Sequence, residues 1–229
     1  MTLDADQGST AYNPRMHSRY DAVAQWYARF TADWLPVCVP YLPEDLRDQR
    51  VLDLACGNGV LSRLIADRGA AVTAVDSSAG MLRNATPADH VEYREGDATN
   101  TGWWDGEQFD GVVSNMALMD IEDLDGALAV IASVTMPAGW VLLSLLHPCF
   151  PGREDTGTLS SWPPSDGYSW EGWWTTGSDG VRGHVGAHHR TLSTYLNAVL
   201  HAGLEFVEVI EPPADVPRYL VLRCRSRSN

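Results

Sequence analysis

Val51-Leu52-Asp53-Leu54-Ala55-Cys56-Gly57-Asn58-Gly59 is a short apolar run that ends in a glycine turn. The run begins at Arg50 and has the length of a buried strand. Val60 to Asp67 then follows a helical pattern, closed by Gly69. In a doubly wound sheet the first strand-to-helix turn lies at the topological switch point, where ligands bind. Glycines at such a turn let the backbone approach a ligand closely. Two details argue against a dinucleotide fingerprint. Its third small position is Ser62, and an acid, Asp53, precedes the loop. A pyrophosphate would be repelled by that acid, whereas an ammonium or sulfonium would be attracted.

The same alternation continues along the chain. Ala70 to Val75 reads as a second strand closed by Asp76, and Ser77 or Ser78 caps a short helix holding Met81 and Leu82. Val91 to Arg94 is a third strand, Phe109 to Ser114 a fourth, and Trp140 to Leu146 a fifth after a helical pattern from Ile121 to Thr135. Strands alternating with helices at this spacing predict a parallel sheet with right-handed crossovers. On the amino-terminal side, Val23, Trp26, Tyr27 and Phe30 recur at helical spacing. Residues 147–190 break the alternation with Gly, Ser, Pro and Trp. A helix from Leu192 to His201 and two strands, Leu204 to Ile210 and Tyr219 to Cys224, complete the pattern. The expected organisation is one domain over 1–229. It comprises a loose arm (1–14), a helical cap (15–41), a ligand-binding core (50–146), a lid (147–190) and a closing helix with a strand pair (191–229).

Composition removes several function classes. The formal net charge is −14, and all 16 basic residues are Arg. Binding a phosphate backbone requires many cations, so nucleic acid is disfavoured as a partner. With no lysine, neither a Schiff base nor a Walker lysine is available. The four cysteines, Cys38, Cys56, Cys149 and Cys224, form no C-x-x-C pair, so neither a zinc site nor a disulfide framework is expected. Met1 to Asp6 lacks the character of a signal peptide, and no apolar run is long enough to span a bilayer. The expectation is a soluble cytoplasmic protein with no membrane partner and no metal; a homodimer stays open.

Four strand-end elements carry the chemistry. The first is the 53–59 loop. The second is Asp76, placed 17 residues after Gly59, where an acid can accept both hydroxyls of a ribose. The third is Gly96-Asp97-Ala98, where a carboxylate can accept an adenine amino group. The fourth is Phe109 to Asn115, a strand ending over the ligand. With these elements, Val51 to Leu146 resembles the class I methyltransferases that use S-adenosylmethionine, in their small-molecule, type 11/25-like branch. The flanking segments Tyr20-Asp21-x-x-Ala24-x-x-Tyr27, His147-Pro-Cys-Phe150 and His189-Arg190-Thr-Leu-Ser193 look like parts of small-molecule members. Ala55 departs from the family, standing where its first glycine is usual.

The resemblance implies S-adenosylmethionine as cofactor. It also implies an α/β fold, a doubly wound, mostly parallel seven-stranded sheet with an antiparallel last strand, N-terminal helices and a lid insertion after strand five. By the same resemblance Asp53 orients the methionine amino group, and Ala55, Gly57 and Gly59 back the ligand. Asp76 holds the ribose with Ser77 beside it. Met81 packs on the adenine, and Asp97 binds its amino group with help from the Ala98 backbone. Asn115, Met116 and Ala117 lie near the transferable methyl. Tyr20 and Tyr27 either close over the cofactor or serve as core aromatics of the first helix.

The acceptor reads as a small molecule. Adenine-amino methylating enzymes carry an Asn/Asp-Pro-Pro-aromatic run after strand four, and here that place is Ser114-Asn115-Met116-Ala117. Trp162, Tyr168, Trp170, Trp173 and Trp174 crowd the lid segment. Trp170 and Trp173 are candidates to stack on a planar acceptor, with a satellite hydrophobic cluster or an oligomer contact as the alternative. If the acceptor carries a proton, His147 is the first candidate base and His189 the second, with His188 adjacent. Each could instead stitch the lid to the core. Arg190 could pair with a carboxylate on the substrate or on the protein. The expected reaction is methyl transfer to an O, N or acidic C atom of a small natural-product-like intermediate in secondary metabolism. The alternatives are a sulfonium-assisted cyclisation or rearrangement, and a non-catalytic cofactor-binding module.

Overall fold

A computed structural model describes residues 18–149, 167–175 and 179–227. The expected arm at 1–14 and Trp162 lie outside the described residues. The helices are α1 (Ala24–Phe30), α2 (Val60–Ala66), α3 (Ala79–Arg83), α4 (Leu124–Val134), α5 (Val181–Val185) and α6 (Leu192–His201). The strands are β1 (Arg50–Leu54), β2 (Ala71–Asp76), β3 (Val91–Glu95), β4 (Phe109–Asn115), β5 (Thr135–Leu146), β6 (Gly172–Trp174), β7 (Ala187–His189), β8 (Leu204–Ile210) and β9 (Tyr219–Ser226). Seven strands form one sheet in the order β3-β2-β1-β4-β5-β9-β8. β1 to β5 pair in parallel, and β9 runs antiparallel between β5 and β8. The parallel strands are those the spacing predicts, and the antiparallel last strand is the one the family resemblance implies.

The central strands are buried on both faces, so they read as continuous apolar runs rather than alternating ones. Along β1, Leu52 and Leu54 enter the core beneath α4 and α6, with Phe109, Leu128, Ile131 and Tyr195. Val51 faces the other way, onto Leu61 and Ile65 of α2 and Leu42 and Leu46 of the segment that leads into β1. Asp53 therefore points to the α2 face, because side chains alternate along a strand. Local caps match the sequence. Ser78 Oγ accepts from Met81 N, Asp123 from Gly126 N and Thr191 from Thr194 N, starting α3, α4 and α6.

Two stretches differ from expectation. β5 starts at Thr135, directly after α4, instead of at Trp140. Pro137 ends helical geometry there, and Ala138 adopts φ 62°, which makes an irregularity in the pairing with β4. The lid segment expected to be irregular contains the hairpin β6–β7 with α5 between its strands. Trp174 and Ala187 pair across that hairpin and enter the main core, an inward face that its Gly-rich composition conceals.

Gly111 tests the tight β4–β5 packing. A Cβ there would lie 2.0 Å from the Trp140 ring, which is itself held by an Nε1–H bond to Gln49 Oε1. Gly111→Ala is expected to cost about 2 kcal/mol. Urea unfolding that shows an unchanged midpoint would disprove this packing.

Candidate active site

All four strand-end elements lie at the carboxyl edge of the sheet. The loop after β1 turns through three residues with positive φ, Ala55 (60°), Gly57 (59°) and Gly59 (72°). Gly59 is required twice over, since its φ is left-handed and a Cβ would sit 2.3 Å from the Tyr93 hydroxyl. Ala55 holds the left-handed conformation without glycine's freedom, which stores strain on the order of 1 kcal/mol at the site. At the end of β2 the Asp76 carboxylate organises both flanking turns. Its Oδ2 accepts from Gly57 N at 2.8 Å and its Oδ1 from Ser78 N at 2.8 Å. Burial raises the pKa of Asp76, with Asp21 and Asp120 adding to the rise against the two backbone bonds.

Asp53 is 1% exposed, and its carboxylate accepts from Ser62 Oγ at 2.6 Å. The Ser62 that breaks the dinucleotide fingerprint is thus the partner of the acid before the loop. Burial pushes the Asp53 carboxyl up to about 7, with the Ser62 bonds opposing and Asp76 adding to the shift. Ser77 is exposed beside Asp76. Met81 is buried, with Cε turned toward Gly57. Asp97 is exposed after β3 and Ala98 is buried. Asp97 Oδ1 accepts from Thr99 N and Oγ1 at 2.8 Å each. After β4, Asn115 Oδ1 accepts from Cys38 N and Ser144 Oγ, both at 3.0 Å. Met116 takes φ 58° and donates its N–H to Ser144 O, and Ala117 is buried behind it.

The cap closes over this edge through Tyr20, a candidate of the resemblance, and through Asp21, to which the sequence assigns no role. Asp21 Oδ1 accepts from Ser78 Oγ and Gly80 N, both at 2.7 Å. The Tyr20 hydroxyl donates to Asp120 Oδ2 at 2.8 Å, and Tyr20 meets Tyr27 edge-on. Arg182 of α5 pairs with the same Asp120 carboxylate. Burial opposes the Arg182 charge, but Asp120 more than offsets this and the pKa is raised. Burial and Asp120 push the Tyr27 phenol up to about 12, so it is a neutral donor. Asp120 had one legible signal, an acid ending the apolar run Met116 to Met119; Arg182, in a Gly-rich stretch, had none.

The lid residues divide. Arg190, expected to meet a carboxylate, donates instead to the carbonyls of Leu118 (3.3 Å), Ile121 (2.8 Å) and Glu122 (2.6 Å). It ties down the loop after β4 and lies over the Tyr195 ring. Trp173 is 47% exposed beneath the Arg19 guanidinium, whereas Trp170 packs on the core and stacks parallel to His189. His147 and His189 are both buried and line one cavity with Met119, Trp174 and Tyr195. His147 Nδ1 accepts from Cys149 N at 3.1 Å. Its Nε2 lies 2.8 Å from Glu211 Oε1, without hydrogen-bond alignment. His189 Nε2 is 2.9 Å from the Tyr168 carbonyl. The pKa of His188 is lowered by burial and then by Arg190 and Arg19.

The donor set fits S-adenosylmethionine. Asp76 keeps a lone pair on each oxygen beyond its two backbone bonds, which suits a vicinal diol. A ligand carrying an ammonium and a sulfonium would favour the charged forms of Asp53 and Asp76, whose pKa burial raises, while Asp120 is balanced by Arg182. Residues 52–143 match the family model described as a methyltransferase domain. With the sheet order and the strand-end acids, that segment is similar to the S-adenosylmethionine-dependent methyltransferases of the doubly wound fold. A demethylmenaquinone methyltransferase of Renibacterium salmoninarum is 38% identical over 104 residues, 44% of this chain and 44% of that one. A ubiquinone biosynthesis O-methyltransferase of Bordetella avium is 32% identical over 111 residues, 46% of each. The chain thus spans just under half the length of these curated relatives. The crystal structure of an S-adenosylmethionine-dependent methyltransferase from Mesorhizobium loti covers 90% of this chain and 99% of that one, with a TM-score of 0.65 at 26% identity.

Asp53 sets a pH signature. Its carboxyl rises from 3.8 to about 7 in the folded protein. The folded state therefore holds a proton that the unfolded chain has released, and stability falls as pH rises between those values. The rise corresponds to pH-dependent stability on the order of a few kcal/mol. Thermal melts of the native protein and Asp53→Asn are expected to diverge between pH 4 and 7, with the native protein losing relative stability as pH rises. Parallel melting curves across that range would show that the buried carboxyl does not titrate this way.

Proposed function

We propose that the protein transfers a methyl group from S-adenosylmethionine to an O, N or acidic C atom of a small, planar metabolite. The observation that carries this reading is the Asp76 carboxylate, held between the Gly57 and Ser78 amides at the switch point of a methyltransferase-type sheet. When bound, the cofactor supplies a methyl already activated on sulfur, so the chain's task is largely to position the acceptor and exclude water. Asp76 would hold the ribose, and Asp53 would face the methionine ammonium from behind the loop. Met81 would pack on the adenine, with Asp97 and Ala98 at its edge. Asn115, Met116 and Ala117 would border the methyl, beneath Tyr20 and Tyr27.

The acceptor class rests on three supports. The named relatives methylate quinone precursors by their names, the lid carries exposed and half-buried indoles, and the charge of −14 opposes nucleic acid. A quinol-like ring would offer a planar face for the indoles and an acidic hydroxyl or ring carbon as the acceptor atom. For such an acceptor we assign His147 as the base. Glu211 beside Nε2 would stabilise the imidazolium, and the Nδ1 lone pair becomes available when the acceptor displaces the Cys149 amide.

Binding and turnover test separate parts of this reading. Asp76→Ala is expected to weaken S-adenosylmethionine binding by about 2 kcal/mol, near thirtyfold, in calorimetry. An unchanged affinity would remove Asp76 from the ribose. Labelled cofactor offered with a panel of phenols, quinols and aromatic amines should yield methylated product and S-adenosylhomocysteine. On the best acceptor, His147→Ala is expected to slow transfer by roughly 10²-fold or more. Full activity of that variant from pH 6 to 8 would make His147 structural. Conversion of a substrate without release of S-adenosylhomocysteine would point instead to a non-methylating reaction on the same fold.

A further inference from the structure

The side chain at the end of β4 is an amide whose two ends are fixed in one sense. Asn115 Oδ1 lies 3.0 Å from Cys38 N and 3.0 Å from Ser144 Oγ. A backbone N–H can only donate, so the amide atom that faces Cys38 is the oxygen. Ser144 fixes the second contact in the same sense. Its Oγ accepts from Met116 N at 3.2 Å, which leaves its single hydrogen for Asn115. Cys38 and Ser144 are fully buried, whereas Asn115 is partly exposed. The oxygen end is therefore packed inward with both lone pairs engaged. The Nδ2 end is the part left open, and among the described residues no acceptor meets it. Asp53 of β1 pairs with Val113, two residues before Asn115, so these amide hydrogens emerge at the same edge as the first loop.

Resting on the methyl-transfer reading above, which sets Asn115 beside the transferred methyl, we propose that Asn115 is the residue that selects the acceptor atom. It favours an ionised hydroxyl, a phenolate or enolate oxygen, over an amine. Lone pairs decide the preference. An oxygen anion has lone pairs to spare, so it accepts from Nδ2 with one and attacks the methyl with another. The O–C bond forms as the C–S bond breaks, and sulfur keeps the bonding pair as a neutral thioether. The hydroxyl proton has left beforehand, to His147 or to water. A neutral amine has a single lone pair. If Nδ2 binds that pair, no electrons remain for the methyl; if the pair attacks, the amine N–H groups meet a donor and no acceptor. A site of the wrong hydrogen-bonding sense leaves polar groups unpaired and discriminates strongly. Asp53 and Asp76 share this edge, so an oxygen anion gains from a fixed donor in addition to the sulfonium.

Asn115→Asp is the informative variant. Its carboxylate still accepts from Cys38 N and Ser144 Oγ, while the open end changes from donor to acceptor. Asn115→Ala removes both ends. S-adenosylhomocysteine binding is first measured by calorimetry on the full chain of each protein. Labelled S-adenosylmethionine is then offered with ring-matched pairs, naphthol against naphthylamine and catechol against phenylenediamine. The native protein is expected to favour the hydroxyl member in kcat/KM by about a hundredfold or more. In Asn115→Asp that ratio should fall by about tenfold or more, with slower hydroxyl and faster amine methylation. In Asn115→Ala it should fall through the hydroxyl member alone. Independently of any variant, naphthol added to the native S-adenosylhomocysteine complex should shift the Asn115 side-chain amide signals in a nitrogen–proton spectrum. Unshifted signals would overturn the assignment, as would a ratio within about twofold of native in a variant that still binds S-adenosylhomocysteine. A native preference for the amine, or methylation of neither member by a protein that binds S-adenosylhomocysteine, would overturn it too. An absence of S-adenosylhomocysteine binding in the native protein would instead remove the cofactor reading, and the selection with it.

Discussion

Five consecutive carbonyls in the loop after β4, from Leu118 to Glu122, each accept from a donor contributed by the cap or the lid. Arg190 takes Leu118, Ile121 and Glu122, the His188 amide takes Met119, and Arg19 takes Asp120. A loop at the carboxyl edge of a parallel sheet must satisfy its backbone without a neighbouring strand, and unsatisfied buried carbonyls are costly. Here the solution dictates the architecture around the site. The donors come from segments remote in sequence, so the loop's backbone is satisfied by the cap and the lid together. The Asp120 side chain, presented by that loop, completes the arrangement by taking Tyr20 and Arg182.

The electrostatics of the cleft follow from the same crowding. Asp21, Asp53, Asp76 and Asp120 gather at one edge, and burial raises the pKa of Asp53 and Asp76. Backbone amides and Ser62 oppose part of this rise, and the Asp120 carboxylate is paired with Arg182. An acidic cleft of this kind is poorly matched to phosphates and well matched to a ligand bearing positive charge. The chain accepts some instability in the free protein to hold that field in place, a common arrangement at functional sites. Ala55 adds to it with a left-handed backbone conformation that a glycine would adopt more readily.

Much of the chemistry at the sheet edge was legible from residue order, and most of what closes it was not. The 53–59 loop, Asp76, Asp97 and Asn115 lie where strand spacing placed them, because each follows a strand whose own pattern sets its end. The boundaries of β8 and of α6 coincide with the apolar periods Leu204 to Ile210 and Leu192 to His201. The roles of Arg190, Arg182 and Asp120 were hidden. An arginine beside two histidines has no sequence feature that tells a substrate carboxylate from three carbonyls some seventy residues away. Trp170, Trp173 and Trp174 looked alike as lid indoles, yet Trp174 is core, Trp170 stacks on His189 and Trp173 faces outward.

By itself, then, the sequence determined the parallel sheet, its switch point and the strand-end acids, because these follow from local periodicity and short-range turn chemistry. Only the tertiary structure decided that Asp53 bonds Ser62, that Arg190 serves the loop after β4, and that Asp120 is shared by cap and lid. Those pairings join residues up to about a hundred positions apart. They depend on which side chains can reach a buried partner once the chain is packed, a property of distance in space that carries no period along the sequence.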